Sequence, residues 1–301
     1  MADKVRELTD KKLVDMEKHL SAIYTEAQVD IQKKADDYFE KFRKEDEEKG
    51  ELLRQGKLTE KEYREWRQGK LMYSERFTVF KEEFSRQLLN VNKTALAYIN
   101  GELPEIYCMN YNALSDVVDG IGGYSFILTD PYTVKHLAIA DKSLLPYKKL
   151  NATKDIAWNM RSINSQVLQG IIQGESIPKI SKRMMKVEDM NKTQAVRTAR
   201  TLVTSAENKG RLDSYYKAEE DGISLEKFWI ATAGERTRHW HAEAGSMYSR
   251  ENSIPIDEPF NIDGEQLMAP GDASLGASGK NLYNCRCSMA SKVTGFRKVT
   301  K

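Results

Sequence analysis

Residues 16–42 read MEKHLSAIYTEAQVDIQKKADDYFEKF. Met16, Leu20, Ile23, Ala27, Ile31, Ala35, Tyr38 and Phe42 recur at steps of three and four, with mostly charged and polar residues between them. One apolar stripe on a charged cylinder is the pattern of a long amphipathic helix. At about 1.5 Å per residue such a helix runs roughly 45 Å. The first 103 residues contain no proline, the strongest helix breaker, so the same reading extends over the whole N-terminal third.

Working outward, the first helix is expected to stop near the acidic run Glu45–Glu48 and Gly50. Thr59 and Glu62 have the spacing of a capping box, which opens a second helix through Tyr63 and Trp66. A third stripe runs Phe77, Phe80, Phe84, Leu88, Val91, Ala95 and Tyr98. Residues 1–99 thus read as an extended charged helical region. Its aromatic stripes suit packing between helices, and they also suit docking on a larger assembly. Residues 100–150 read as an irregular connecting segment, because Pro104, Gly120, Gly122, Gly123 and Pro131 interrupt short apolar runs, with room for one short hairpin. A helical region follows over 151–225. Its parts are a helix from about Thr153 to Gly174, a short one opened by Ser176 and Pro178, and a longer one from Asp189 that Gly222 stops. Phe228–Thr232 reads as a strand. Residues 226–290 form a loop-rich module, and 291–301 a basic tail. The expected fold is mainly α, with long N-terminal helices, a central helical region and a small α+β C-terminal module.

The whole-chain numbers narrow the function classes. Among 301 residues, 47 are basic and 45 acidic, a net charge of +2. That balance argues against a protein that binds nucleic acid over its whole surface. No run approaches the ~18 apolar residues of a membrane span. The N-terminal residues lack an apolar signal region. Three cysteines are too few for a disulfide framework. The expectation is a soluble protein made in a reducing cytoplasm. After Asp272 there is no acid but there are six bases, Lys280, Arg286, Lys292, Arg297, Lys298 and Lys301. Lys292, Arg297, Lys298 and Lys301 are therefore candidate nucleic-acid contacts, against the plain alternative of a solubilising tail.

The residues able to carry chemistry cluster late in the chain. His239 and His241 are two apart, as are Cys285 and Cys287. In an extended segment residues two apart point the same way, so either pair can approach one ion. Imidazole and thiolate together suit tetrahedral zinc. A three-ligand site would use His241, Cys285 and Cys287, and His239 would be a fourth. The competing account makes the cysteines small buried apolar groups and gives the histidines ordinary hydrogen bonds. A disulfide between Cys285 and Cys287 is disfavoured by the strain of so short a closure. His241 with Glu243 and a cysteine has the composition of a nucleophile–base pair. No nucleophile elbow, phosphate loop or metalloprotease helix accompanies it, so no catalytic residue is assigned. One face of the preceding helix carries Arg197, Arg200, Thr201, Thr204, Asn208 and Arg211. Arg238 and Arg286 are expected to bond loop carbonyls.

The order of these pieces is informative. Arg200 lies in an Arg-Thr helix, followed by Trp229, then Arg236, Arg238 and His241 in Glu-Arg-Thr-Arg-x-x-His. Pro255 to Phe260, Gly264 and Pro270-Gly271-Asp272 come next, and Asn284-Cys285-Arg286-Cys287 closes the set. This order, over about residues 176–290, resembles the phage Mu F-like family of minor head, or head morphogenesis, proteins. Two positions depart from the family pattern: Gly234-Glu235 stands where an Asp often precedes the Arg-Thr-Arg run, and Leu202 where an acid often follows Arg-Thr. The resemblance implies a non-enzymatic role inside the phage head. It implies synthesis in the host bacterial cytoplasm, association with the portal protein and other head proteins, and help in head assembly and in packaging or delivery of double-stranded DNA. No membrane would take part during assembly. The alternative is a zinc-dependent enzyme acting on DNA or an entry partner.

Overall fold

The computed structural model describes residues 4–118 and 127–297. The N-terminal stripe forms α1 (Lys4–Phe39), and a single turn of tighter helix, Glu40–Phe42, leads into α2 (Arg43–Arg54). Further along come α3 (Glu60–Leu71), α4 (Glu75–Asn112), α5 (Ser115–Val118), α6 (Pro131–Ala140), α7 (Ala152–Ile172), α8 (Ile177–Lys182) and α9 (Met184–Glu220). The C-terminal part holds β1 (Ile223–Ile230), α10 (His239–Met247), β2 (Ile254–Pro255), β3 (Phe260–Ile262), β4 (Glu265–Leu267), α11 (Gly279–Leu282) and β5 (Ser288–Phe296). The fold is mainly α with a small α+β C-terminal module, as the sequence implies. No helix among the described residues is long and apolar enough to cross a membrane.

Several boundaries differ from expectation. The acidic run Glu45–Glu48 does not end a helix; it lies in α2, with Glu45 and Asp46 in the first turn, where the helix dipole favours negative charge. Residues 100–150 are not wholly irregular. α4 continues through Pro104 to Asn112, because the lost hydrogen bond is offset by complete burial of Leu103 and Ile106 on either side. Asp130 caps α6 by accepting from the Tyr132 and Thr133 amides, with Pro131 in the first turn. That pair is a helix-start signal read in the sequence as a break. The hairpin considered around Gly120, Gly122 and Gly123 lies outside the described residues. α9 begins at Met184 rather than Asp189. The basic end does not become a separate tail at 291, because β5 pairs with β1 as far as Phe296. The Thr59–Glu62 capping box and the Gly222 stop stand as read; Gly222 has a φ of 92°.

The chain divides into two units. One comprises Lys18–Ala97 and Lys149–Ala195. Its core joins Ile31, Ala35, Phe39 and Phe42 to Phe77, Phe80, Phe84 and Leu88, and to Ile163, Val167, Ile171 and Ile180. Tyr38 stacks on Phe80 with ring centroids 4.4 Å apart. The aromatic stripes are therefore core. Beside this core, Arg67 grips Asp46 through two hydrogen bonds of 2.7 and 2.8 Å, and Tyr63 donates to the same carboxylate.

The other unit comprises Met1–Glu17, Tyr98–Lys148 and Val196–Lys301. Its sheet has the order β2-β1-β5, antiparallel throughout, and β3 pairs with β4 separately. Alternation along β1 buries Ile223, Leu225, Lys227 and Trp229. Lys227 is satisfied inside by donating to the Met268 carbonyl at 2.8 Å, and burial pulls its pKa down to about 8. Trp229 packs edge-on against Phe260 and against His241. The α4 segment of this unit meets α9 at Gly210, where an added Cβ would lie 2.4 Å from the Tyr107 carbonyl oxygen. Only glycine permits that approach.

Candidate functional site

The polar face of α9 is a rail for the segment that carries the cysteines. Thr201 Oγ1 accepts from the Asn284 amide at 3.2 Å. Thr204 donates to the Cys285 carbonyl. Asn208 donates to the Cys287 carbonyl at 3.1 Å and accepts from the Met289 amide at 2.9 Å. Arg211 donates to the Met289 carbonyl at 3.0 Å. From Thr204 to Arg211, helix positions three or four apart thus engage extended-chain positions two apart, Cys285, Cys287 and Met289, so each helical turn holds one pleat. Asn284 precedes this run with a φ of 55°, a left-handed conformation that asparagine tolerates better than most residues. The alternation then buries Cys285 and Cys287 and exposes Arg286 between them. Gly271, with a φ of 79°, lets the Pro270–Asp272 turn approach the same helix; a Cβ there would meet the Ser205 amide nitrogen at 3.0 Å.

His241 reaches the cysteines from α10. Its Nδ1 lies 3.6 Å from Cys285 Sγ and 3.5 Å from Cys287 Sγ, and its Nε2 lies 3.1 Å from Asn281 Oδ1. The amide of Asn281 can face only one way. Its Oδ1 accepts from Trp240 Nε1 at 2.8 Å, and its Nδ2 donates to the Ile262 carbonyl at 3.0 Å and to Glu265 at 2.8 Å. Indole is only a donor and a carbonyl only an acceptor, so Oδ1 must be the atom facing His241. His241 therefore carries its proton on Nε2, and the bare Nδ1 points at both sulfurs. All three side chains are at most 2% exposed.

His239 does not join them. It is exposed, and its ring packs against Trp240. The rule that residues two apart share a face holds in a strand, but both histidines lie in α10, where two residues turn through about 200°. Of the two spacings, only Cys-x-Cys sits in extended chain. Glu243 is exposed, and both ring nitrogens of His241 face other groups, so the His241–Glu243 base pair does not form.

Around this group lies a cleft of about 580 Å³, lined by Arg200, Glu235, Arg236, Arg238, Asn284 and Arg286 together with the His-Cys-Cys group. Arg238 donates to the Tyr283 carbonyl at 2.6 Å, the loop bond expected of it. Arg286 instead lies 3.4 Å from Glu17. Arg200 makes two bonds to Glu17, of 2.7 and 2.9 Å. Glu17 is thus the acid that Arg200 pairs with in this chain. It stands 183 positions from Arg200 in sequence, and no local pattern pointed to it. Asn281 and Trp240 also carried no signal beyond proximity to the motif residues.

A hydrogen bond from Cys285 holds Cys287 below the ordinary thiol range. The same hydrogen bond, with burial, holds Cys285 well above it. Beneath the rail, burial raises the Glu207 carboxyl to about 7, although Ser288 donates to it at 2.7 Å. The His-Cys-Cys group has the donor types and proximity to hold a metal ion.

The basic end is engaged as far as it is described. Lys280 pairs with Asp263 at 2.9 Å, and Lys292, inside β5, lies 3.8 Å from Glu226. The Arg297 amide donates to the Gly222 carbonyl at 2.7 Å. Lys298 and Lys301 lie outside the described residues.

Residues 161–290 match the family model described as "Phage Mu protein F like protein". The chain is similar to the minor head protein GP7 of Bacillus phage SPP1, 28% identical over 137 residues, which is 45% of this chain and 42% of that protein. It is also similar to an NAD(+)–arginine ADP-ribosyltransferase of Enterococcus faecalis, 27% identical over 136 residues, or 45% of this chain and 26% of that protein. The matched stretch therefore spans less than half of either relative. No solved structure matches the chain. The motifs from Arg200 to Cys287 and the rail that holds them fall within residues 161–290, the stretch over which the chain is similar to the Mu F-like family.

Proposed function

We propose that the protein is a minor head component that acts by binding, located inside the capsid near the portal, and that it assists head assembly and DNA packaging or delivery. The observation that carries this reading is the family match over residues 161–290, joined by the similarity to a phage minor head protein. The partners proposed are the portal protein, other head proteins and packaged double-stranded DNA. Contact with DNA would involve Lys292, Arg297, Lys298 and Lys301, and would weaken steeply with salt. The test is a peptide count of this chain in purified DNA-filled virions, normalised to portal protein. A constant low ratio supports the proposal. Absence from virions with presence in infected-cell lysate refutes the virion role and favours an assembly factor.

A second reading, a zinc-dependent enzyme acting on DNA or an entry partner, draws on one observation. The His-Cys-Cys group lines an open cleft, and catalytic zinc keeps one coordination position free. That reading requires His241→Ala to abolish an activity while the chain stays folded.

A further inference from the structure

We infer that His241 Nδ1, Cys285 Sγ and Cys287 Sγ are the three protein ligands of a zinc ion whose fourth position faces the arginine-lined cleft. This holds whether the chain acts by binding or by catalysis. The first support is metric. Tetrahedral zinc with bonds of about 2.3 Å to sulfur and about 2.0–2.1 Å to nitrogen places those two atoms roughly 3.6 Å apart. The observed separations are 3.6 and 3.5 Å. The second is the tautomer. Asn281 fixes the proton of His241 on Nε2, leaving the Nδ1 lone pair directed at the sulfurs, the arrangement in which a ligating histidine is held by an outer hydrogen bond.

The donor set selects the metal. Two thiolates and an imidazole are too soft for magnesium or calcium, and suit zinc. Such an ion would tie α10 to the segment entering β5, which α9 already holds by its backbone. Both elements would then be fixed around the cleft before any partner arrives.

The full-length chain, purified under reducing conditions, is expected to hold equimolar zinc by elemental analysis. Cobalt(II) exchanged for zinc should give a sulfur-to-cobalt charge-transfer band and intense visible bands of a tetrahedral site. Cys285→Ser and Cys287→Ser should each remove at least about half of the charge-transfer intensity, as expected for one of two thiolate ligands, and lower zinc affinity at least tenfold. His239→Ala should change neither. A folded, reduced chain that takes up no added zinc overturns the assignment, as does loss of metal in His239→Ala equal to that in Cys287→Ser. Should a cysteine variant fail to fold, the cobalt spectrum of the unsubstituted chain decides, and absence of the charge-transfer band refutes sulfur ligation.

Discussion

Asn281→Leu removes the polar hub of the C-terminal module while keeping its volume. Four hydrogen bonds end on this fully buried side chain, from Trp240 and His241 to its oxygen and from its nitrogen to Ile262 and Glu265. The losses are unequal. His241 Nε2–H and the Ile262 carbonyl belong to buried residues and find no water, and each orphaned group costs about 1–3 kcal/mol. Trp240 is half-buried, and Glu265 keeps its bond from the Ser278 amide, so these two lose little. The sum is about 4 kcal/mol. Urea unfolding followed by tryptophan fluorescence reads it well, since Trp229 and Trp240 both belong to the module. At a slope of about 2–3 kcal/mol per molar, the midpoint falls by roughly 1.3–2 M. Asn281→Asp is the isosteric control. It keeps the acceptor for Trp240 and His241 but turns an oxygen toward the Ile262 carbonyl and the Glu265 carboxylate. Its cost should shrink as pH falls and a proton comes to lie between the two carboxyls. A cost below about 1 kcal/mol for the leucine variant, or a neutral aspartate variant at pH 7, would show that Asn281 does not hold the site together.

Three further perturbations test other parts of the structure. Asp46→Ala strands the Arg67 guanidinium, whose side chain is 2% exposed, and should cost about 3–5 kcal/mol in urea unfolding; an Asp46→Leu, Arg67→Met pair should recover much of it, and failure of both changes to interact would refute the pairing. Glu207 has its pKa raised to about 7 by burial, so its stabilising contribution is complete below pH 4.5 and lost as pH rises through about 7. Glu207→Gln keeps an acceptor for Ser288 and should flatten the fall in stability between those limits, by at most about 3 kcal/mol, whereas parallel pH profiles for variant and parent would refute the shift. Gly210→Ala forces a Cβ to within 2.4 Å of the Tyr107 carbonyl oxygen unless α4 and α9 part, and should lower stability by about 1–3 kcal/mol in thermal melts; an unchanged melting temperature would contradict the close approach.

The sequence by itself determined those features set by local physics. The stripe from Met16 to Phe42 dictated a helix, because period alone decides which face is apolar. Thr59 with Glu62 dictated a helix start, and Gly222 a stop, because caps and left-handed stops involve only neighbouring residues. Asp130-Pro131 carried an equally local signal that was read as a break. Cys285 and Cys287 were legible as a pair because extended chain carries both to one face. The same rule misplaced His239, since it holds only once the local conformation is known. What the tertiary structure alone decided lies at long sequence separation. Glu17 neutralises Arg200 from 183 residues away, and Asn281 sets the tautomer of His241 across a 40-residue gap. The rail on α9 reads as a row of polar residues until the extended segment is laid along it. Such contacts depend on where the chain returns, and no local periodicity records that.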